Sequence, residues 1–165
     1  MQPKEIIENI KKTHPNIQTL YFVGCGASSS ELYPAEYFMR ANAHKLRTGY
    51  FTANEFNYAT PAACDDTAIV IACSLGGNTP ETVAAAKLAR EKGAVVISIT
   101  HDAASPLAAN GDYVIVHGFE KNYAAKLEKM NNVLMLAVEV LNQYEGCELY
   151  EDMVNGYLHI YDAIE

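Results

Sequence analysis

Three apolar runs constrain this chain more than anything else in it: residues 17–23 (IQTLYFV), 67–73 (TAIVIAC) and 94–100 (AVVISIT). A strand with one wet face alternates apolar and polar residues. A short run that is apolar at nearly every position suits a strand of a parallel sheet, buried on both faces. The first two runs stop at turns rich in glycine and serine, and helical patterns follow all three. Strand, turn, helix, repeated, is the grammar of a parallel sheet covered by helices on both sides.

The remaining elements fit that frame. Residues 3–13 predict a helix, with Pro3 tolerated in its first turn and Ile6, Ile7 and Ile10 on one face. Ser28, Ser29 or Ser30 can cap a helix running to about residue 42. Residues 45–52 form a weaker strand, and 53–56 a loop or short helix broken by Thr60-Pro61. A helix over 79–92 stops at Gly93. A turn of helix at 107–110 precedes a fifth strand at 113–117. A long helix over 122–143 carries an apolar stripe at 127, 130, 134, 137, 138 and 141, and a last helix spans about 148–164. In such a fold ligands sit at the carboxyl ends of the strands, near the point where strand order reverses.

Composition narrows the function. The 165 residues suit one domain, and a charged fraction of 19% beside 50% apolar residues excludes a disordered chain. A net charge of −8 with no basic stripe argues against nucleic acid as a partner. No apolar run reaches the ~18 residues of a membrane span. The charged, amphipathic start lacks the apolar stretch of a secretory signal, so a cytoplasmic protein is expected. Cys25, Cys64, Cys73 and Cys147 form no C-x-x-C pair and read as small buried thiols in a reducing compartment. The five histidines show no i, i+4 pairing, so no metal site is expected.

Two constellations carry chemistry. Gly24-Cys25-Gly26-Ala27-Ser28-Ser29-Ser30 follows the first strand. Its glycines let the backbone turn and approach a ligand, and its serines stand at a helix start, whose partial positive charge suits an anion. It is a poor dinucleotide site: G-x-G-x-x-S lacks the third glycine, and no acidic residue ends the second strand. The second constellation is Ser74-Leu75-Gly76-Gly77-Asn78-Thr79-Pro80. Thr79 sits at a natural N-cap because Pro80 fits the first helical position. Backbone amides of Gly76 and Gly77 with the Ser74, Asn78 and Thr79 side chains form a cup of neutral donors, suited to a phosphate without any lysine. No G-K-[ST] follows, so this is not a nucleoside-triphosphate loop.

The paired cups, with Ala53-Asn54-Glu55-Phe56 between them, resemble the sugar isomerase (SIS) domain. The stretch SLGGNTPETVAAAKLAREKGA from Ser74, followed by Ser105-Pro106-Leu107, is most similar to fructosamine-6-phosphate deglycases, relatives of the isomerase half of glucosamine-6-phosphate synthase. The resemblance implies a three-layer αβα sandwich, flavodoxin-like, with a five-stranded parallel sheet. It implies an SIS domain over 17–143, preceded by a helical segment at 1–16 and followed by a helical segment at 144–165. It also implies a sugar 6-phosphate ligand, with phosphate meeting Ser74, Gly76, Asn78 and Thr79, Ala27 and Ser28 lining the sugar side, and Gly26, Leu75 and Gly77 counted with them as substrate-binding. Gly76 stands where the family usually has serine, and Leu75 where it often has a polar residue. The implied chemistry is cleavage of a fructosamine-type phosphate or aldose–ketose isomerisation, without metal or redox cofactor.

The implied partner is a second SIS domain or a second copy. Members of this branch usually hold two such domains, with the general base and the ring-opening histidine mostly in the other half. No catalytic residue is assigned here. Glu55, His101, Glu120 and Lys126 are weighed, with structural or solvated roles favoured for each; Lys121, Glu128 and Lys129 read as a solvated helix face, and the tyrosines near the end as packing. The alternative is a sugar-phosphate sensor without catalysis. Such regulators carry a helix-turn-helix module upstream, for which 16 residues before the first strand are too few.

Overall fold

The computed structural model describes residues 1–118 and 123–159, with side chains in the second stretch from residue 128 onward. Chain order is α1 (Pro3–Thr13), β1 (Thr19–Gly24), α2 (Gly26–Asn42), β2 (Arg47–Thr52), α3 (Ala53–Tyr58), β3 (Ala68–Cys73), α4 (Pro80–Glu91), β4 (Val95–Thr100), α5 (Pro106–Ala109), β5 (Tyr113–Val116), α6 (Tyr123–Tyr144) and α7 (Tyr150–His159). The five strands form one sheet in the order β2-β1-β3-β4-β5, all parallel. Two buried clusters, one on each face, make this the αβα sandwich expected.

The sequence pattern explains the layers. Every residue of β1, β3 and β4 is buried, which is why those three strands read as continuous apolar runs. The edge strand β2 (RTGYFT) is buried at none of its positions and carries the weaker signal. On one face Ile6, Ile7 and Ile10 of α1 join Leu32 and Met39 of α2 and Val133, Leu136 and Val140 of α6. On the other, the small residues Ala85, Ala86 and Ala89 let α4 lie close to Val70, Ala72 and Val96.

Three expectations need correction. Helix α2 starts at Gly26, with Cys25 at the N-cap and no side-chain cap; Ser28, Ser29 and Ser30 lie inside its first turns. The buried face of α6 is wider than one stripe: Lys129, Asn132, Val133, Leu136, Ala137, Val140 and Leu141 are all buried, while Met130 and Leu134 are half-buried. The cause is that α6 packs against three helices, α1, α2 and α7. Of the four cysteines, Cys64 and Cys73 are buried and Cys25 and Cys147 half-buried; all four are free thiols. Residues 119–122, with Glu120 and Lys121, the side chains of Tyr123, Lys126 and Leu127, and residues 160–165, with Tyr161, lie outside the described residues. Among the described residues no helix is long and apolar enough to cross a membrane.

Candidate functional site

From β1 the chain passes through α2 to β2 on one side; β3, on the other side of β1, passes through α4 to β4. The order of the sheet therefore reverses between β1 and β3. In the parallel register Gly24 stands opposite Cys73, so the turns leaving these two strands are neighbours. This is the crevice in which open parallel sheets bind ligands. A Cβ on Gly24 would lie 3.1 Å from the Ser29 nitrogen and 3.3 Å from the Cys73 oxygen, so this glycine lets α2 descend onto the strand ends. The Thr82 hydroxyl of α4 reaches the Cys25 Sγ at 3.7 Å, a contact across the crevice.

The turn after β3 is folded tightly. Gly77 donates its N–H to the Ser74 oxygen at 3.1 Å and has φ +65°. A Cβ there would fall 2.1 Å from the Ser105 Oγ, so only glycine fits. The Leu75 carbonyl accepts from the Thr100 hydroxyl at 3.1 Å and from the His101 N–H at 2.9 Å, and the His101 Nδ1 lies 2.6 Å from it. The end of β4 is thus fastened to the turn. His101, weighed as a solvated loop residue, is part of that fastening, with its Cε1 3.8 Å from where a Gly76 Cβ would stand. Asn78 Nδ2 donates to the Gly76 oxygen at 2.7 Å.

Thr79 is the N-cap residue of α4, as its place before Pro80 predicts, but its side chain caps nothing. Its Oγ1 lies 2.9 Å from the Ser74 Oγ, so the two hydroxyls share one hydrogen bond across the turn. The first amides of α4 are left without a side-chain cap, and those of α2 likewise. Such amides carry partial positive charge toward whatever faces them. Ser74 and Gly77 are buried, Gly76 and Thr79 half-buried, Gly26, Ala27, Leu75 and Asn78 exposed, and Ser28 is 9% exposed. The nine residues expected to hold the ligand therefore fall on two adjacent turns at one end of the sheet.

Sequence reasoning missed a group behind this crevice. Lys129, expected on a solvated face, is 3% exposed and forms an ion pair with Glu31 of α2. Both charges act on the thiol of Cys73 at the end of β3; burial pushes that thiol up to about 12, so it stays protonated and inert. His117, just after β5, is buried too. Its Nδ1 lies 2.9 Å from the Gly118 oxygen, and its Nε2 has no partner among the described residues. Burial, with the nearby Lys129 charge, holds His117 below the ordinary histidine range and hence neutral. No periodicity marks Glu31 or Lys129, since each alone fits an exposed helix position.

Glu55 has a structural task. Its carboxylate accepts from the Thr52 N–H and hydroxyl, both at 2.8 Å, and its own N–H donates to the Thr52 Oγ1: a capping box for α3. These bonds hold its carboxyl below the usual range, which makes it a weak base. Glu128 of α6 accepts from the Gly118 N–H at 3.1 Å. A cavity of about 930 Å³ between the N-terminal residues, β5, α6 and α7 shares no residue with the two turns.

The comparisons with known proteins agree with this geometry. Residues 16–138 match the family model described as SIS domain. The chain is 33% identical over 140 residues to fructosamine deglycase FrlB of Bacillus subtilis, covering 85% of this chain and 43% of that protein. It is 28% identical over 138 residues to a glutamine–fructose-6-phosphate aminotransferase of Clostridium tetani, covering 84% of this chain and 22% of that protein. A crystal structure of a provisionally named phosphosugar isomerase from Salmonella typhimurium superposes with a TM-score of 0.92 at 39% identity, covering 99% of this chain and 49% of that one. The chain thus spans about half the length of such relatives or less. With the crevice at the β1/β3 reversal and a family model matching most of its length, this chain belongs to the SIS domain family.

Proposed function

We propose that this chain is the phosphosugar-gripping half of a fructosamine-6-phosphate deglycase or an aldose–ketose isomerase. The observation that carries the reading is the pair of helix starts, α2 and α4, that lack side-chain caps at adjacent strand ends. A phosphate dianion satisfies such amides better than any other common ligand group. In this reading the 6-phosphate sits over Ser74, Gly76, Gly77, Asn78 and Thr79, and the sugar runs past Gly26, Ala27 and Ser28, with Leu75 at the rim.

The chemistry is proton transfer. A base takes a proton from the carbon beside the carbonyl of the open sugar, and fixed donors steady the oxygen that gains charge. In the deglycase the amine then leaves, and glucose 6-phosphate results after hydrolysis. Glu55 and His101 of this chain are engaged in holding the fold, and His117 is buried. In this reading the base comes from a second SIS domain, in the same polypeptide or in a partner subunit. The 33% identity to a fructosamine deglycase supports the deglycase branch.

Calorimetry with glucose 6-phosphate and fructose 6-phosphate tests the reading. The parent binds one or both, and Thr79→Ala weakens binding at least tenfold, the equivalent of a lost hydrogen bond to a charged ligand worth about 1.5–3 kcal/mol. Equal affinity in parent and variant removes Thr79 from the site; no binding by the parent removes the function. A sensor without turnover is the second reading. It is favoured by 28% identity over 118 residues to a helix-turn-helix transcriptional regulator of Haemophilus influenzae. Release of amine from a fructosamine 6-phosphate by the protein with its second domain decides between them.

A further inference from the structure

The first turns of α2 are tied to the rest of the molecule on two sides within three residues. Ser29 donates its hydroxyl to the Tyr50 hydroxyl of β2 at 2.7 Å. Glu31 pairs with Lys129 of α6. Among the described residues Lys129 is the one buried cation; every other lysine and arginine is at least partly exposed. A buried ion pair is a poor device for stability alone. Desolvating an ammonium costs several kcal/mol, and packed apolar side chains in its place are often neutral or stabilising. What the pair does supply is a fixed, directional link between α6 and the helix start that forms one wall of the crevice.

We infer that Lys129 is a positioning residue for the phosphosugar site: its ammonium, clamped on Glu31, holds the first turn of α2 against the end of β3 so that the uncapped amides keep their aim into the crevice. This rests on the phosphosugar reading for its functional consequence but not for its structural one. Helix α4 needs no such clamp, because its preceding turn is fastened by the Leu75 carbonyl and by the bond from the Leu107 N–H to the Gly77 oxygen.

The test replaces the pair by apolar residues of similar length in the full chain, Glu31→Leu/Lys129→Met, with Glu31→Gln as a variant that keeps shape but leaves the ammonium unpaired. Melting temperature, amide hydrogen exchange and glucose 6-phosphate affinity are measured together. The double variant is expected to melt within a few degrees of the parent. Its amides at 26–32 exchange at least tenfold faster, those at 80–84 are unchanged, and its affinity falls at least tenfold. Glu31→Gln leaves the buried Lys129 ammonium without its counter-charge, so it lowers the melting temperature as well as speeding exchange at 26–32. Unchanged exchange at 26–32 in both variants overturns the clamp, as does a lowered melting temperature with affinity and local exchange preserved, the mark of a purely structural pair. If the parent binds no sugar phosphate, the function falls while the exchange arm still decides the clamp.

Discussion

The helix starts at the carboxyl ends of β1 to β4 divide into two kinds. Helices α3 and α5 begin with caps made by side chains. Thr52 and Glu55 close a reciprocal box on α3, and the Ser105 Oγ accepts from the Ala108 N–H at 3.2 Å at the start of α5. Helices α2 and α4 begin with Cys25 and Thr79, and no side chain caps them, although serines and a threonine stand close by. In α4 the threonine hydroxyl turns away from its own helix to meet Ser74. Helix α1 also lacks a side-chain cap, but its start lies beside β5 and α6, away from the β1/β3 reversal. A capped start has spent its donors on stability. The two uncapped starts at the β1/β3 reversal keep theirs for something else.

The largest effect expected is at the turn that aims α4. Gly77→Ala forces a left-handed backbone on a residue with a Cβ and drives that Cβ into Ser105. Strain and overpacking together cost about 3 kcal/mol, and both the melting temperature and sugar-phosphate affinity drop. A variant as stable as the parent would mean that the turn relaxes freely, and the aim of α4 would then not depend on it.

The comparison also predicts a crossed result. Ser105→Ala removes a true cap and should cost about 1 kcal/mol of stability, read as a lower denaturation midpoint, with a small change in affinity. Thr79→Ala, at an N-cap whose side chain does not cap, should do the reverse. If the two substitutions moved stability equally, the division between spent and unspent helix starts would fail.

Much of this was legible in advance. Parallel strands buried on both faces write themselves as unbroken apolar runs, so β1, β3 and β4 could be read directly, and Thr79-Pro80 marks the start of α4 by the chemistry of proline alone. The start of α2 was misplaced. Three serines outweigh a cysteine and a glycine as capping signals, yet the close approach that Gly24 permits brings the helix in at least three residues earlier. The Glu31–Lys129 pair was out of reach for a different reason. Its partners lie on α2 and α6, far apart in the chain, and a lone lysine on a helix is ordinarily solvated. Burial of charge is a tertiary fact, which periodicity along one helix does not encode.

The smallest effect separates the two kinds of helix start by pH. The Glu55 carboxyl is held below its ordinary range by its bonds to the Thr52 backbone N–H and hydroxyl, bonds that only the charged, folded form makes fully. A carboxyl with a depressed folded value adds stability above its unfolded pKa, about 4.3, and loses it as the pH falls through the folded value. The first turn of α2 holds no acidic residue and can make no such contribution. Glu55→Gln keeps the shape of the box and removes its charge. The difference in melting temperature between parent and variant should therefore be constant from pH 7 down to about 5 and shrink toward zero below the ordinary carboxylate range. Because Glu55 is exposed, the step is small and is damped by salt. A difference that persisted unchanged at pH 2 would show that the box works through shape and not through charge, and the contrast between α3 and α2 would then be one of packing.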